Sequence, residues 1–178
     1  MNIARIEEYL VSQDTHQAIQ ALLREGFGQY PAGRDFFRQL PAFRLLAWSD
    51  QQELIGHMAV EHRLVNNQGQ LLRIFGVADF TVATAHRNQG IGTALLEALT
   101  DLGHTSEVDF LLLLAHESGS VYARQDFIPI DAQCKWLMIQ QDQSLGVLNR
   151  FIAGSLMVKP IRTTNWREGN LDFLGHIF

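Results

Sequence analysis

Between Ile91 and Leu102 the apolar residues Ile91, Ala94, Leu95, Ala98, Leu99 and Leu102 recur at i, i+3, i+4, i+7, i+8 and i+11, and Gly103 follows. That spacing puts them on one face of a helix and predicts its end at the glycine. Phe110 to Ala115 then runs without a polar residue, the pattern of a strand covered on both faces. A strand ahead of the helix and a doubly covered strand behind it imply a parallel pair joined by a crossover. The sheet of this chain is therefore expected to be mixed.

The flanking segments extend the reading. Ala18, Ile19, Leu22, Leu23 and Phe27 predict a helix over Thr15 to Gly28. Phe43 to Trp48, Leu54 to Leu64 and Leu71 to Thr84 predict three strands of an antiparallel meander, broken at Ser49 to Gln52 and at Asn66 to Gly69. Beyond the apolar run a short helix is expected at about Ser118 to Gln125, and a strand over Phe127 to Ile139 with a break near Pro129. A polar loop and a last strand over Ser155 to Ile161 complete the order. This is an α+β (mixed α/β) domain: a central mixed, mostly antiparallel sheet flanked by helices. No repeat, low-complexity tract or linker divides it, so residues 1–178 read as one domain.

Charge and cysteine usage exclude several roles. A net charge of −5 and a pI near 5.7 lack the basic surface that nucleic-acid binding needs. The longest apolar run is far short of the ~20 residues that cross a bilayer, and Arg5, Glu7, Glu8 and Asp14 stand where a signal peptide needs an apolar core. Cys134 is the only cysteine, which excludes an internal disulfide and suits a reducing cytoplasm. The 7 histidines show no H-x-x-x-H or paired Cys/His spacing, so no metal site is expected. Neither the phosphate-binding G-x-x-x-x-G-K-[ST] loop nor a G-x-S-x-G elbow is present.

The segment Arg87-Asn88-Gln89-Gly90-Ile91-Gly92 lies between a predicted strand and the amphipathic helix. Glycines let the backbone approach a ligand closely, and the amides that open a helix lack partners inside it. Such a turn suits an anion, a pyrophosphate in particular.

With its surroundings, this turn resembles the GNAT N-acetyltransferase superfamily, whose R/Q-x-x-G-x-G/A turn binds the pyrophosphate of acetyl-CoA. Tyr122-Ala123-Arg124-Gln125-Asp126-Phe127 is similar to the family's tyrosine-bearing helix and following Gly-Phe, with Asp126 in place of the usual glycine. A further likeness runs to aminoglycoside 2'-N-acetyltransferases and to the rhizobial nodulation N-acyltransferase. Ile55-Gly56-His57-Met58, Val121-Tyr122-Ala123 with Phe127-Ile128-Pro129, and Asn165-Trp166-Arg167-Glu168-Gly169-Asn170 carry it.

The resemblance implies an acetyl-CoA-dependent N-acetyltransferase in which a primary amine of a small molecule, with aminoglycoside-like compounds among the candidates, attacks the thioester directly and no metal takes part. Arg87, Asn88, Gln89, Gly90, Ile91, Gly92 and Thr93 would hold the pyrophosphate, and Phe80, Thr81 and Val82 the pantetheine arm and thioester. Tyr122 is the candidate acid for the departing thiolate. The aminoglycoside enzymes have a glutamate where Ala78 stands, so the nearest candidate base is Asp79, which could serve if a bulge rotates the strand. His57, His116 and Glu117 are alternatives, and His57 also reads as a buried structural histidine. His57, Glu168 and Asp172 are candidate acceptor contacts, while the apolar tail Leu171 to Phe178 should pack on the domain or on a second copy in a homodimer. Transfer of a longer acyl chain and a catalytically silent CoA-binding module remain the alternatives at this point.

Overall fold

The computed structural model describes residues 1–115, 119–162 and 165–178. Among them, in chain order, lie β1 (Asn2–Glu7), α1 (Gln13–Phe27), β2 (Phe43–Trp48), β3 (Leu54–Asn67), β4 (Gln70–Val82) and α2 (Ile91–Thr105). β5 (Phe110–Leu114), α3 (Gly119–Ala123), β6 (Ile128–Gln140), β7 (Gln143–Pro160) and β8 (Gly169–His176) follow. The chain forms two compact units, residues 1–61 with 77–99 and residues 62–76 with 100–178, so β3, β4 and α2 each contribute to both.

In the first unit the strand order is β1-β2-β3-β4, and β1/β2 and β2/β3 are antiparallel. Helix α1 starts where the Ser12 hydroxyl accepts the Thr15 N–H at 3.2 Å, a side-chain cap for one of the orphan first-turn amides. It stops at Gly28, whose φ of 65° continues no right-handed helix. The apolar face of α1 buries Ile19 and Leu23 with Tyr30 and Leu46, and Ile6 and Trp48 close over them. On the other helix Ile91, Leu95, Leu96 and Leu99 are buried. Gly56 of β3 lets α2 come close, since a Cβ there would lie 3.0 Å from both Ile91 and Leu95.

In the second unit the order is β4-β5-β7-β6-β8, with a further β3–β8 pairing. β5/β7 and β6/β7 are antiparallel and β6/β8 is parallel, so the sheet is mixed, through β6/β8; β4 and β5, the pair expected to be parallel, are neighbours in it. Its core joins Val65, Leu72 and Ile74 to Phe110, Leu112, Leu156, Leu171 and Phe173.

Several sequence expectations change here. Residues expected as a polar loop are the first two thirds of β7, folded back on β6 through a turn at Gln141 and Asp142, both at positive φ (49° and 62°). Such left-handed pairs match the twist of a tight hairpin. β6 runs on through Pro129, which stands opposite Met157 and ahead of Ala132, where β8 joins, an edge position at which proline is tolerated, but the pairing with β7 shifts register just after it, between Ile130 and Ala132. α2 continues through Gly103 to Thr105, and Ile161 and Leu111 lie at ordinary contact distance, 3.4–3.5 Å, from where a Gly103 Cβ would be. The apolar tail is β8 and the residues after it. Leu171, Phe173 and Ile177 fill the second core, and the Phe178 ring covers Gly76, where a Cβ would stand 2.4 Å away. No helix among the described residues is long and apolar enough to cross a membrane.

Candidate functional site

The turn Arg87 to Gly92 ends β4 and opens α2 within the first unit. Asn88 (φ 60°) and Gly90 (φ 80°) take left-handed conformations, which bring the chain round sharply enough to start the helix at once. The first helical bond runs from the Ala94 N–H to the Gly90 carbonyl at 2.9 Å. The amides of Ile91, Gly92 and Thr93 therefore come before the first such bond, at the positive end of a 15-residue helix. A Cβ on Gly90 would meet no other atom within 4 Å, and one on Gly92 would lie 3.4 Å from the Phe80 ring. The turn is thus open at Gly90 and packed against β4 at Gly92.

Three contacts fix it in place. The Arg87 Nε–H donates to the Val82 carbonyl at 3.1 Å, the Ala83 N–H donates to the Ile55 carbonyl at 2.9 Å, and the Thr84 N–H donates to the Glu25 carboxylate at 2.6 Å. That last bond holds the Glu25 carboxyl below its ordinary range.

Just upstream, β4 is irregular at Asp79, whose φ is 48°. A non-glycine residue adopts that conformation inside a strand only where its neighbours enforce it. Here the Tyr30 hydroxyl donates to Asp79 Oδ2 at 2.8 Å, and the Phe37 amide donates to the same carboxylate. Burial raises the Asp79 carboxyl above its ordinary value, although the Tyr30 bond, Arg44, the Phe37 amide and Arg38 all pull the other way. Burial, then the charge of Asp79, drives the Tyr30 phenol upward, so Tyr30 stays protonated and acts as donor. Tyr30 lies between the rings of Phe27 and Phe37, at 5.9 and 6.3 Å.

His57 is fully buried on β3, and both its nitrogens are engaged. Nδ1 lies 2.8 Å from the Asp79 carbonyl, which can only accept, so Nδ1 carries the proton. Arg44 Nη1, which can only donate, faces Nε2 at 3.0 Å. Burial and then the Arg44 charge lower the His57 pKa to about 3, so the ring is neutral. Arg44 is fully buried as well and spans Glu8 (2.6 and 3.0 Å), the Asp35 carbonyl (2.7 Å) and the Asp35 carboxylate (3.2 Å). Glu8, His16 and Asp35 offer donor atoms within 4.8 Å of one another, the spread of a cation site, but Arg44 already supplies a cation to both carboxylates.

The first unit thus brings together His57, Asp79, Phe80 to Val82 and Arg87 to Thr93, and adds Tyr30, Arg44 and the Phe37 amide, which sequence reasoning missed. Tyr30 and Arg44 bond across 49 and 13 residues, so no local spacing marks them.

Tyr122, Glu168 and Asp172 belong to the second unit. The Tyr122 ring meets Phe127 edge-on at 5.9 Å. Asp172 is bonded by Lys135 at 2.8 Å and by the Leu174 amide at 2.9 Å. Burial raises the Asp172 carboxyl, but these bonds outweigh it and hold the group below its ordinary value. Glu168 is exposed, and its carbonyl accepts from the Gln68 side chain at 3.0 Å. Trp166 packs edge-on against Phe110 at 5.4 Å, and Arg167 exchanges two bonds with the Asn67 side chain, at 2.7 and 2.8 Å. His116 and Glu117 lie outside the described residues.

The family model for the acetyltransferase (GNAT) domain matches residues 9–130, more than half of the sequence. The chain belongs to the GNAT family. Among solved structures, the GNAT N-acetyltransferase YhbS of Escherichia coli, in complex with CoA, aligns with a TM-score of 0.64 at 19% identity, covering 96% of this chain and 88% of that one. The ribosomal-protein-S18-alanine N-acetyltransferase of Escherichia coli aligns at 0.59 and 14% identity, covering 92% and 97%. Eis1 of Mycobacterium abscessus aligns at 0.60 and 20% identity over 74% of this chain but only 32% of its own. At such identities these structures report the GNAT fold alone. No curated protein sequence matches the chain.

Proposed function

We propose that this GNAT protein is an acetyl-CoA-dependent N-acetyltransferase in which a primary amine of a small molecule attacks the thioester directly. The observation that carries the reading is the turn into α2: left-handed Asn88 and Gly90, open space at Gly90, and the amides of Ile91 to Thr93 facing out of the helix start. A pyrophosphate fits such a cradle, because the backbone supplies the donors and no Cβ blocks them. The CoA complex of YhbS supports the same ligand class.

Acetyl-CoA supplies an activated acyl carbon, and the protein must deprotonate the amine, steady the oxyanion and protonate the thiolate. Asp79 is the base: its carboxylate is held by Tyr30 and the Phe37 amide, and burial raises its proton affinity toward that of a useful acceptor. Phe80 to Val82 line the donor arm, and Arg87 adds positive charge at the turn. Tyr122 is assigned as the acid on the resemblance of its segment, and Glu168 and Asp172 as acceptor contacts on the same ground. Aminoglycosides belong in the acceptor panel because of the C-terminal likeness.

The test is a thiol-release assay over polyamines, amino acids, aminoglycosides and a lysine peptide, beside calorimetric titration with acetyl-CoA. Asp79→Asn and Tyr122→Phe should each lower turnover by roughly 10²–10⁴-fold and leave acetyl-CoA affinity within about threefold of the native value. No acetyl-CoA binding by the native chain would overturn the donor site. Undiminished turnover in either variant would remove that residue from its role.

A further inference from the structure

Asp79 holds a left-handed conformation inside a strand, at φ 48°. This costs about 1–2 kcal/mol for a residue with a Cβ, so the surroundings must enforce it. Its side chain is secured by Tyr30 and by the Phe37 amide. Its carbonyl is secured by His57, and a part-buried carbonyl in an irregular stretch of strand needs a donor. His57 in turn cannot swing: it is fully buried, and Arg44, itself tied to Glu8 and Asp35, holds the far side of the ring. A line of hydrogen bonds thus runs from Glu8 and Asp35 through Arg44 and His57 to one peptide group.

We propose that His57 is a positioning residue for acetyl transfer: its Nδ1–H holds the Asp79 carbonyl, and so sets the direction of the Asp79 carboxylate and of the Phe80 amide that follows. The peptide between Asp79 and Phe80 is trans, as all are among the described residues. Its carbonyl and N–H point opposite ways, so a donor that fixes one fixes the other. His57 never touches substrate, since it is sealed in the interior. The inference rests on Asp79 being the base.

Two substitutions separate the two ends of the ring. His57→Asn places an amide near the Nδ1 position, keeping a donor for Asp79 and giving up the acceptor for Arg44. His57→Gln reaches the Nε2 position, keeping an acceptor for Arg44 and giving up the donor to Asp79. The His57→Gln variant should lose roughly 10–100-fold in kcat, the scale set by a misplacement of about 1 Å, with little change in the KM for amine or the Kd for acetyl-CoA. His57→Asn should recover most of that loss even if its melting temperature is the lower of the two.

The amide resonance of Phe80 in a ¹⁵N-labelled sample gives a readout that needs no turnover. It should move in His57→Gln and return toward the native position in His57→Asn. Equal kinetic losses in the two variants, or losses that follow melting temperature, would overturn the proposal, as would a Phe80 resonance that does not separate them. A native chain that binds acetyl-CoA but acetylates no amine would instead overturn the proposed activity, and the Phe80 resonance would still decide whether His57 sets this peptide.

Discussion

Gly69 and Gly90 offer a matched pair. Both have φ 80°, and at neither would a Cβ meet another atom within 4 Å. Placing a methyl in the left-handed region costs about 1–2 kcal/mol, so Gly69→Ala and Gly90→Ala should lower the melting temperature equally. At about 2–4 °C per kcal/mol for a chain of this size, the fall is roughly 2–8 °C. The variants should part only when acetyl-CoA is added, because Gly69 lies in the β3–β4 turn and Gly90 opens the helix that would take the pyrophosphate. With ligand at 100 times the native Kd, native protein and Gly69→Ala gain about 2.7 kcal/mol. If the added methyl weakens binding tenfold, Gly90→Ala gains about 1.4 kcal/mol, and its ligand-induced rise in melting temperature is about half as large. Thermal melts with and without acetyl-CoA, with calorimetry for the Kd values, measure both. Equal ligand-induced shifts would refute the assignment of this turn to the donor, whatever the cost to stability.

Other perturbations follow from the buried charges. Arg44→Met leaves the carboxylates of Glu8 and Asp35 without their cation and His57 Nε2 without its donor; urea unfolding should show a loss of about 3–5 kcal/mol, and a loss below about 1 kcal/mol would contradict the network. The Asp79 carboxyl is raised in the folded protein, so above its unfolded value and below its folded one the native state keeps a proton that the unfolded chain has released. Through that window this group's contribution to stability falls as pH rises. Asp79→Asn, which can still accept from Tyr30, should therefore gain in stability relative to the native protein as pH climbs from below the ordinary carboxylate range to neutrality. A difference in unfolding free energy that stays flat with pH would contradict the raised value.

Periodicity made much of the fold legible. The helical spacing of Ile19, Leu22 and Leu23 and that of Ile91, Leu95 and Leu99 emerged as the buried faces of α1 and α2, and the apolar run at Phe110 became β5. What stayed hidden lacks such a signal. β1 is a six-residue strand with Arg5 and Glu7 among its side chains, and none of its residues is fully buried. The first part of β7 is exposed nearly throughout and holds Gly146 and Gly154, so its pairing with β6, not its composition, makes it a strand. Leu171 and Phe173 do alternate toward the core, but their parallel pairing with β6 depends on residues almost forty positions away. In the candidate site the glycines of the turn are readable because conformation demands them. The company of Asp79 is not, since Tyr30, His57 and Arg44 meet it only through the tertiary fold.

β8 also shapes how the chain must fold. It leaves the ribosome well after β3, β4 and β5, yet it pairs with β3 at Asn66↔Asp172 and places Leu171 and Phe173 in a core whose other walls are Val65, Leu72 and Phe110. Until β8 emerges, that core lacks a wall. Contacts spanning so much sequence close slowly, and apolar surface left waiting is prone to self-association. The second unit should therefore depend on chaperones or low temperature during synthesis far more than its finished core suggests, and chains stalled ahead of β8 should be the ones that aggregate.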